Sequence, residues 1–106
     1  MDTGDNEPLR VEIHGDGTIV VHGDIDIAGG PVLDDAIRSQ ESSGHIAIDL
    51  RNVSFIDSSG LRSLLNASRR AHDRSSQVVL RGVGPEVIRL LEITGTTQRF
   101  SIEQAS

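Results

Sequence analysis

After a polar, acidic stretch over residues 1–7, the chain alternates: Leu9, Val11 and Ile13 are apolar, while Arg10 and Glu12 are charged. A period of two predicts a half-buried strand. Gly15-Asp16-Gly17 reads as a turn, and Thr18 to His22 as the returning strand of a hairpin. Gly23 to Ile27 continues extended up to a break at Gly29-Gly30. The period then changes. Pro31 suits the first turn of a helix, where its missing N–H would have no partner anyway. Leu33, Ala36 and Ile37 keep helical spacing, with Asp34 and Arg38 four apart on the outer side. Ser42-Ser43-Gly44 is expected to end that helix. His45 to Leu50 predicts a strand with Ile46, Ile48 and Leu50 on one face. Ala47, small and apolar, implies that the other face is covered too, as in a central strand.

Arg51 to Asp57 is a connection, with Val53 and Phe55 expected to point inward. A helix from about Ser59 to about His72 carries the apolar stripe Leu61, Leu64, Leu65 and Ala71, with Arg62, Asn66, Arg69, Arg70 and Asp73 outside it or at its edge. Val78 to Leu80 is a short buried strand. Gly84-Pro85 opens a third helix bearing Val87, Ile88, Leu90 and Leu91, and Gly95 is placed to stop it. Arg99 to Ile102 reads as a last edge strand. The order ββαβαβα(β) implies an α/β fold: a mixed, mostly parallel sheet of four to five strands with helices packed against it. Residues 8–106 are expected to form a single domain behind a flexible N-terminus, residues 1–7.

Composition narrows the function. The net charge is −6, all ten basic residues are Arg, and there are two Phe but no Tyr or Trp. Such a chain has neither the field nor the stacking rings for nucleic acid. A protein partner with a basic surface fits better. Without cysteine there is no disulfide, thiolate metal site or Cys nucleophile. His14, His22, His45 and His72 match no local metal-ligand spacing, so no metal or cofactor is expected. No glycine-rich phosphate loop occurs, and Asp57-Ser58-Ser59-Gly60 lacks the frame of a nucleophile elbow, so the sequence does not point to an enzyme. No apolar run reaches the roughly 18 residues of a membrane span, and the N-terminus lacks signal-peptide features. A cytoplasmic protein, monomeric when free, is the simplest expectation.

The informative stretch runs from Ile46 to Leu65: a buried strand, a short loop, then the hydroxyl pair Ser58-Ser59 at a helix start. The residue types allow two readings. Asp57 or Ser58 caps the first-turn amides, or a serine at this positive helix end accepts a phosphate.

In that context the chain resembles the anti-sigma factor antagonist family, which has the STAS domain fold. The resemblance rests on Ile46–Leu50 followed by Val53 to Leu61, with Asp57-Ser58-Ser59-Gly60-Leu61 at its end. It rests also on Gly23-Asp24-Ile25-Asp26 with Leu33 seven residues beyond Asp26, and on Pro85 to Gly95. It spans roughly residues 9–102. It implies a partner switch. The antagonist binds an anti-sigma factor that is also a serine kinase, so that a sigma factor is released. The kinase phosphorylates Ser58, with Ser59 as second choice, and a phosphoserine phosphatase restores the serine. ATP and magnesium would belong to the kinase. Expected partner contacts are Asp24, Asp26, Asp57, Ser59, Gly60, Arg62, Asn66 and Arg69. One departure is Ile27-Ala28-Gly29-Gly30-Pro31, where the family usually opens the helix with a hydroxyl residue. The glycines are expected to loosen that loop and to remove a cap. Two other readings are a STAS-type subunit of another complex, such as a lipid-transport ATPase assembly, and a nucleotide or small-molecule sensor.

Overall fold

The computed structural model describes residues 8–41 and 44–103. The expectations for residues 1–7 and for Ser42-Ser43 lie outside the described residues.

The hairpin forms as its alternation requires. β1 (Arg10–Ile13) pairs antiparallel with β2 (Ile19–His22), in register from Arg10 opposite His22 to Ile13 opposite Ile19. Asp16 shapes the turn: its carboxylate accepts the Thr18 amide at 2.9 Å. β3 (Ile46–Asn52), β4 (Val78–Arg81) and β5 (Ser101–Glu103) follow in parallel, giving one sheet of order β1-β2-β3-β4-β5. The helices α1 (Gly30–Ser39), α2 (Ser58–Asp73) and α3 (Pro85–Thr94) occupy the connections between parallel strands. This is the mixed, mostly parallel α/β architecture expected from the sequence.

The core lies where the helical stripes meet one face of the sheet. Ile19, Val21, Ile46, Ile48, Leu50, Val78 and Leu80 come from the strands; Leu33, Ile37, Leu61, Leu64, Ala67, Ala71, Val87 and Leu91 come from the helices. Full burial of each large aliphatic chain stabilises by about 1.5–3 kcal/mol. The other face differs from expectation. Ala47 and Asp49 are only half-buried, so β3 is covered fully on one side and partly on the other.

Two boundaries and one side-chain orientation also differ. β3 extends to Asn52 because that residue pairs with His22 past an irregularity in β2. Phe55, expected inward, is 50% exposed. Ile56 bridges to Ile25 and takes the buried position, and in an extended segment its neighbour must then point outward. Finally, a 3-10 turn at Thr97–Arg99 precedes β5 and shortens the last strand. α3 stops as predicted, at Gly95 in the left-handed region (φ 69°), with the Thr96 amide donating back to the Leu91 carbonyl at 2.9 Å.

Candidate functional site

Where parallel strands end, the chain must leave the sheet, and two such exits are joined here. The Ile25 amide donates to the Phe55 carbonyl at 3.0 Å, and the Asp57 amide donates to the Ile25 carbonyl at 3.1 Å. Upstream, the Gly23 amide donates to the Asn52 carbonyl at 3.3 Å. The segment after β2 therefore runs as a short parallel ladder beside the segment after β3. This places the Asp24–Asp26 loop against the start of α2.

Asp57 caps α2. Its backbone is extended (φ −103°, ψ −173°), its carboxylate accepts the Gly60 amide at 3.0 Å, and its carbonyl accepts the Leu61 amide at 2.9 Å. Of the two capping options left open by the residue types, the structure assigns the cap to Asp57. Ser58 and Ser59 are thus the first two helical residues, a position whose amides have no intrahelical carbonyl to bond. Ser58 is exposed, Ser59 half-buried and Gly60 buried.

Gly60 is buried for a specific reason. A Cβ at this position would lie 2.5 Å from Ile25 Cγ2, 2.6 Å from the Ile25 carbonyl oxygen and 2.8 Å from Ile56 Cγ1. Only hydrogen fits there. The glycine lets the helix start approach the Ile25 backbone, and so holds the two loops together. It faces its own chain, not a partner.

The loop before α1 is tied back on Asp26. The Asp26 carboxylate accepts the Gly29 amide at 3.0 Å, and the Asp26 carbonyl accepts the Gly29 and Gly30 amides at 3.1 and 3.0 Å. The expected loosening by Gly29-Gly30 is corrected by this geometry. Both glycines are buried, Gly29 with Leu9 only 2.9 Å from where a Cβ would stand, and Gly30 beside Ser63. As expected, α1 has no side-chain cap: its N-cap is Gly29, and the Asp26 carboxylate bonds the amide of that residue rather than those of the first helical turn.

The remaining expected residues divide by exposure. Asp24 is buried, at 7% exposure, and Asp26 and Asp57 are half-buried. Arg62 and Arg69 are exposed and Asn66 half-buried, on the outer side of α2, where Arg69 Nη2 donates to Asn66 Oδ1 at 3.4 Å. Arg62 lies about 6 Å along the helix from Ser58, and Arg69 roughly 16 Å. The structure therefore brings Asp26, Asp57, Ser58 and Ser59 together, with Arg62 one turn away, and leaves Arg69 remote. Sequence reasoning missed Ile27 and Phe55, 75% and 50% exposed on the two joined loops. The signal for Phe55 was its place one residue before Ile56 in an extended segment.

Among the described residues, no group of three or more His, Asp or Glu could hold a metal ion, and no helix is long and apolar enough to cross a membrane. What the arrangement offers chemically is an accessible hydroxyl at a positive helix end, directly after the capping Asp57 and against the loop that carries Asp26.

Comparison with known proteins gives a consistent picture. The family model described as "Mlab, STAS domain" matches residues 9–102. The anti-sigma-B factor antagonist of Listeria monocytogenes is 34% identical over 87 residues, covering 80% of this chain and 76% of that protein. Among solved structures, an anti-sigma factor antagonist from Mycobacterium paratuberculosis superposes with a TM-score of 0.75 at 26% identity, covering 96% of this chain and 89% of the other. The Bacillus cell fate determinant SpoIIAA in its phosphorylated form shares the fold, with a TM-score of 0.68 at 18% identity over 92% of this chain and 91% of that one.

Proposed function

Because this chain belongs to the anti-sigma factor antagonist family and carries its STAS domain, we propose that it works as a partner switch whose state is written on Ser58. In the unmodified state it binds an anti-sigma factor serine kinase, and the sigma factor is released. Phosphorylation of Ser58 ends the binding, and a phosphoserine phosphatase restores it. The observation that carries this reading is the exposure of Ser58 as the first residue of α2, directly after the Asp57 cap.

The physics of the switch follows from that placement. A phosphoserine adds about −1.5 to −2 charge. The amides of the first helical turn can receive it without a change of fold. The Asp57 and Asp26 carboxylates are close by in the joined loops. A dianion added there repels acidic groups of a partner and resists burial. Switching a complex from 99:1 bound to 1:99 takes about 5.5 kcal/mol of differential affinity. A doubly charged group forced into a closed interface is of the right order.

The docking face combines Ser58 and Ser59 with Asp26, Asp57 and Arg62, and with the exposed Ile27 and Phe55 of the joined loops; Asn66 extends it along α2, and Arg69 lies beyond it. Gly60 acts from beneath, by holding the loops together, and Asp24 is buried there. Titration calorimetry against the kinase partner tests the reading: Ser58→Ala should bind like the unmodified protein and Ser58→Asp much more weakly. Equal affinities would remove the electrostatic basis of the switch. Recovery of a transport ATPase instead of a kinase as the native partner would favour a STAS-type subunit of such an assembly.

A further inference from the structure

On the far half of α2, Ser68, Arg69 and His72 line a pocket of about 340 Å³ together with Gln98 and Arg99 of the 3-10 turn ahead of β5. Its walls are held together from inside. Ser68 is buried, and its hydroxyl donates to the Arg99 carbonyl, so helix and turn are tied at the base of the pocket. Arg51, Arg70 and Arg81 each lie within ion-pair distance of a carboxylate. Among the described residues neither Arg69 nor Arg99 does; Arg69 reaches only Asn66. Asp73 follows Arg69 by four residues, a spacing that favours pairing on a helix, yet it makes no ion pair with it and does not line the pocket.

A chain of net charge −6 thus gathers around one concavity an imidazole, an amide donor and two guanidinium groups that form no ion pair among the described residues, and no described carboxylate lines it. We propose that this pocket binds a small phosphate-bearing anion, gripped by the guanidinium groups of Arg69 and Arg99. Guanidinium is the side-chain group best matched to phosphate, through paired, charge-assisted N–H···O bonds. Every lining side chain can donate a hydrogen bond, and the one ring among them is the His72 imidazole. The volume is at the small end for organic ligands. The recognised chemistry is therefore the phosphate itself, as inorganic phosphate, pyrophosphate or the phosphate end of a larger metabolite. The site is separate from the switch serine: Ser68 is ten residues from Ser58, about 15 Å along the helix axis.

The test is an amide-resolved NMR titration of the full chain with inorganic phosphate, pyrophosphate and ADP, at ionic strength held constant with chloride. Saturable shifts should centre on Ser68 to His72 and on Gln98 and Arg99. Pyrophosphate matching ADP would identify a phosphate end as sufficient, and ADP binding more tightly would identify a nucleotide source; both support the site. Arg99→Gln and Arg69→Gln should each weaken binding about tenfold. Arg99→Gln keeps the tie to Ser68, which uses the backbone carbonyl, and an unchanged amide spectrum checks that the fold is intact. Equal shifts with chloride alone, saturable shifts centred on Ser58 to Gly60, or undiminished binding by both variants would each overturn the proposal.

Discussion

Replacing Gly60 by alanine tests how the site is built. The added methyl would meet Ile25 Cγ2 at 2.5 Å, the Ile25 carbonyl oxygen at 2.6 Å and Ile56 Cγ1 at 2.8 Å. The side-chain atoms can turn aside, but the carbonyl is backbone and is already bonded to the Asp57 amide at 3.1 Å. Relief therefore requires the start of α2 to move off the Ile25 ladder. Overpacking of this kind costs about 1–3 kcal/mol. Weakening the two ladder bonds, Asp57 to Ile25 and Ile25 to Phe55, adds about 1 kcal/mol each. Alanine returns up to about 1 kcal/mol through its better helix propensity. The balance is a loss of about 2–4 kcal/mol, which for a chain of this length lowers Tm by roughly 8–16 °C. Urea and thermal melts followed by circular dichroism measure it. Gly15→Ala is the control, since a Cβ there meets nothing within 4 Å and its φ is not positive. If Gly60→Ala melts with the native protein, the close approach of α2 to Ile25 does not hold the loops, and the reasoning fails.

Other consequences concern pH and the docking face. The Thr18 amide, and after it the Thr18 hydroxyl, hold the Asp16 carboxyl below its ordinary value of 3.8. A depressed folded value means that this contact stabilises fully above the ordinary value and is lost as pH falls through the lower one. Asp16→Asn should therefore be less stable than the native chain at about pH 6, and the difference should shrink toward about pH 3, as read by urea melts. A difference that stays constant would deny the carboxylate its part in the turn. Phe55→Ser removes a half-exposed ring three residues ahead of Ser58, so it should weaken kinase binding by about 1–2 kcal/mol while lowering Tm by only a few degrees. Unaltered affinity in calorimetry would take Phe55 out of the docking face.

Much of the fold was legible because its signals are local. Period-two alternation marked β1, and the helical stripes of α2 and α3 came with Asp57 ahead of one and Gly95 behind the other. The site was legible only as a motif. That Asp57 caps while Ser58 stays exposed depends on which side chain wins the first-turn amides, and the residue types alone permit either. The roles of Gly60 and Asp26 were hidden for a different reason. Each acts through backbone contacts: Gly60 by lacking atoms next to Ile25, and Asp26 by bonding the Gly29 and Gly30 amides of its own loop. Such contacts leave no periodicity in a sequence. Phe55 misled because an aromatic residue in the mostly apolar stretch from Val53 to Ile56 reads as core, whereas the Ile25–Ile56 bridge fixes the alternation that turns it outward.

The central claim is that one exposed alcohol, the first residue of α2, carries the regulatory phosphate. Incubating the protein with its anti-sigma kinase and magnesium ATP, then mapping the product by tandem mass spectrometry, addresses this directly. A single phosphate on Ser58, abolished in Ser58→Ala, is the predicted result. Phosphate on Ser59 alone, or none from a kinase that binds the protein, would contradict it.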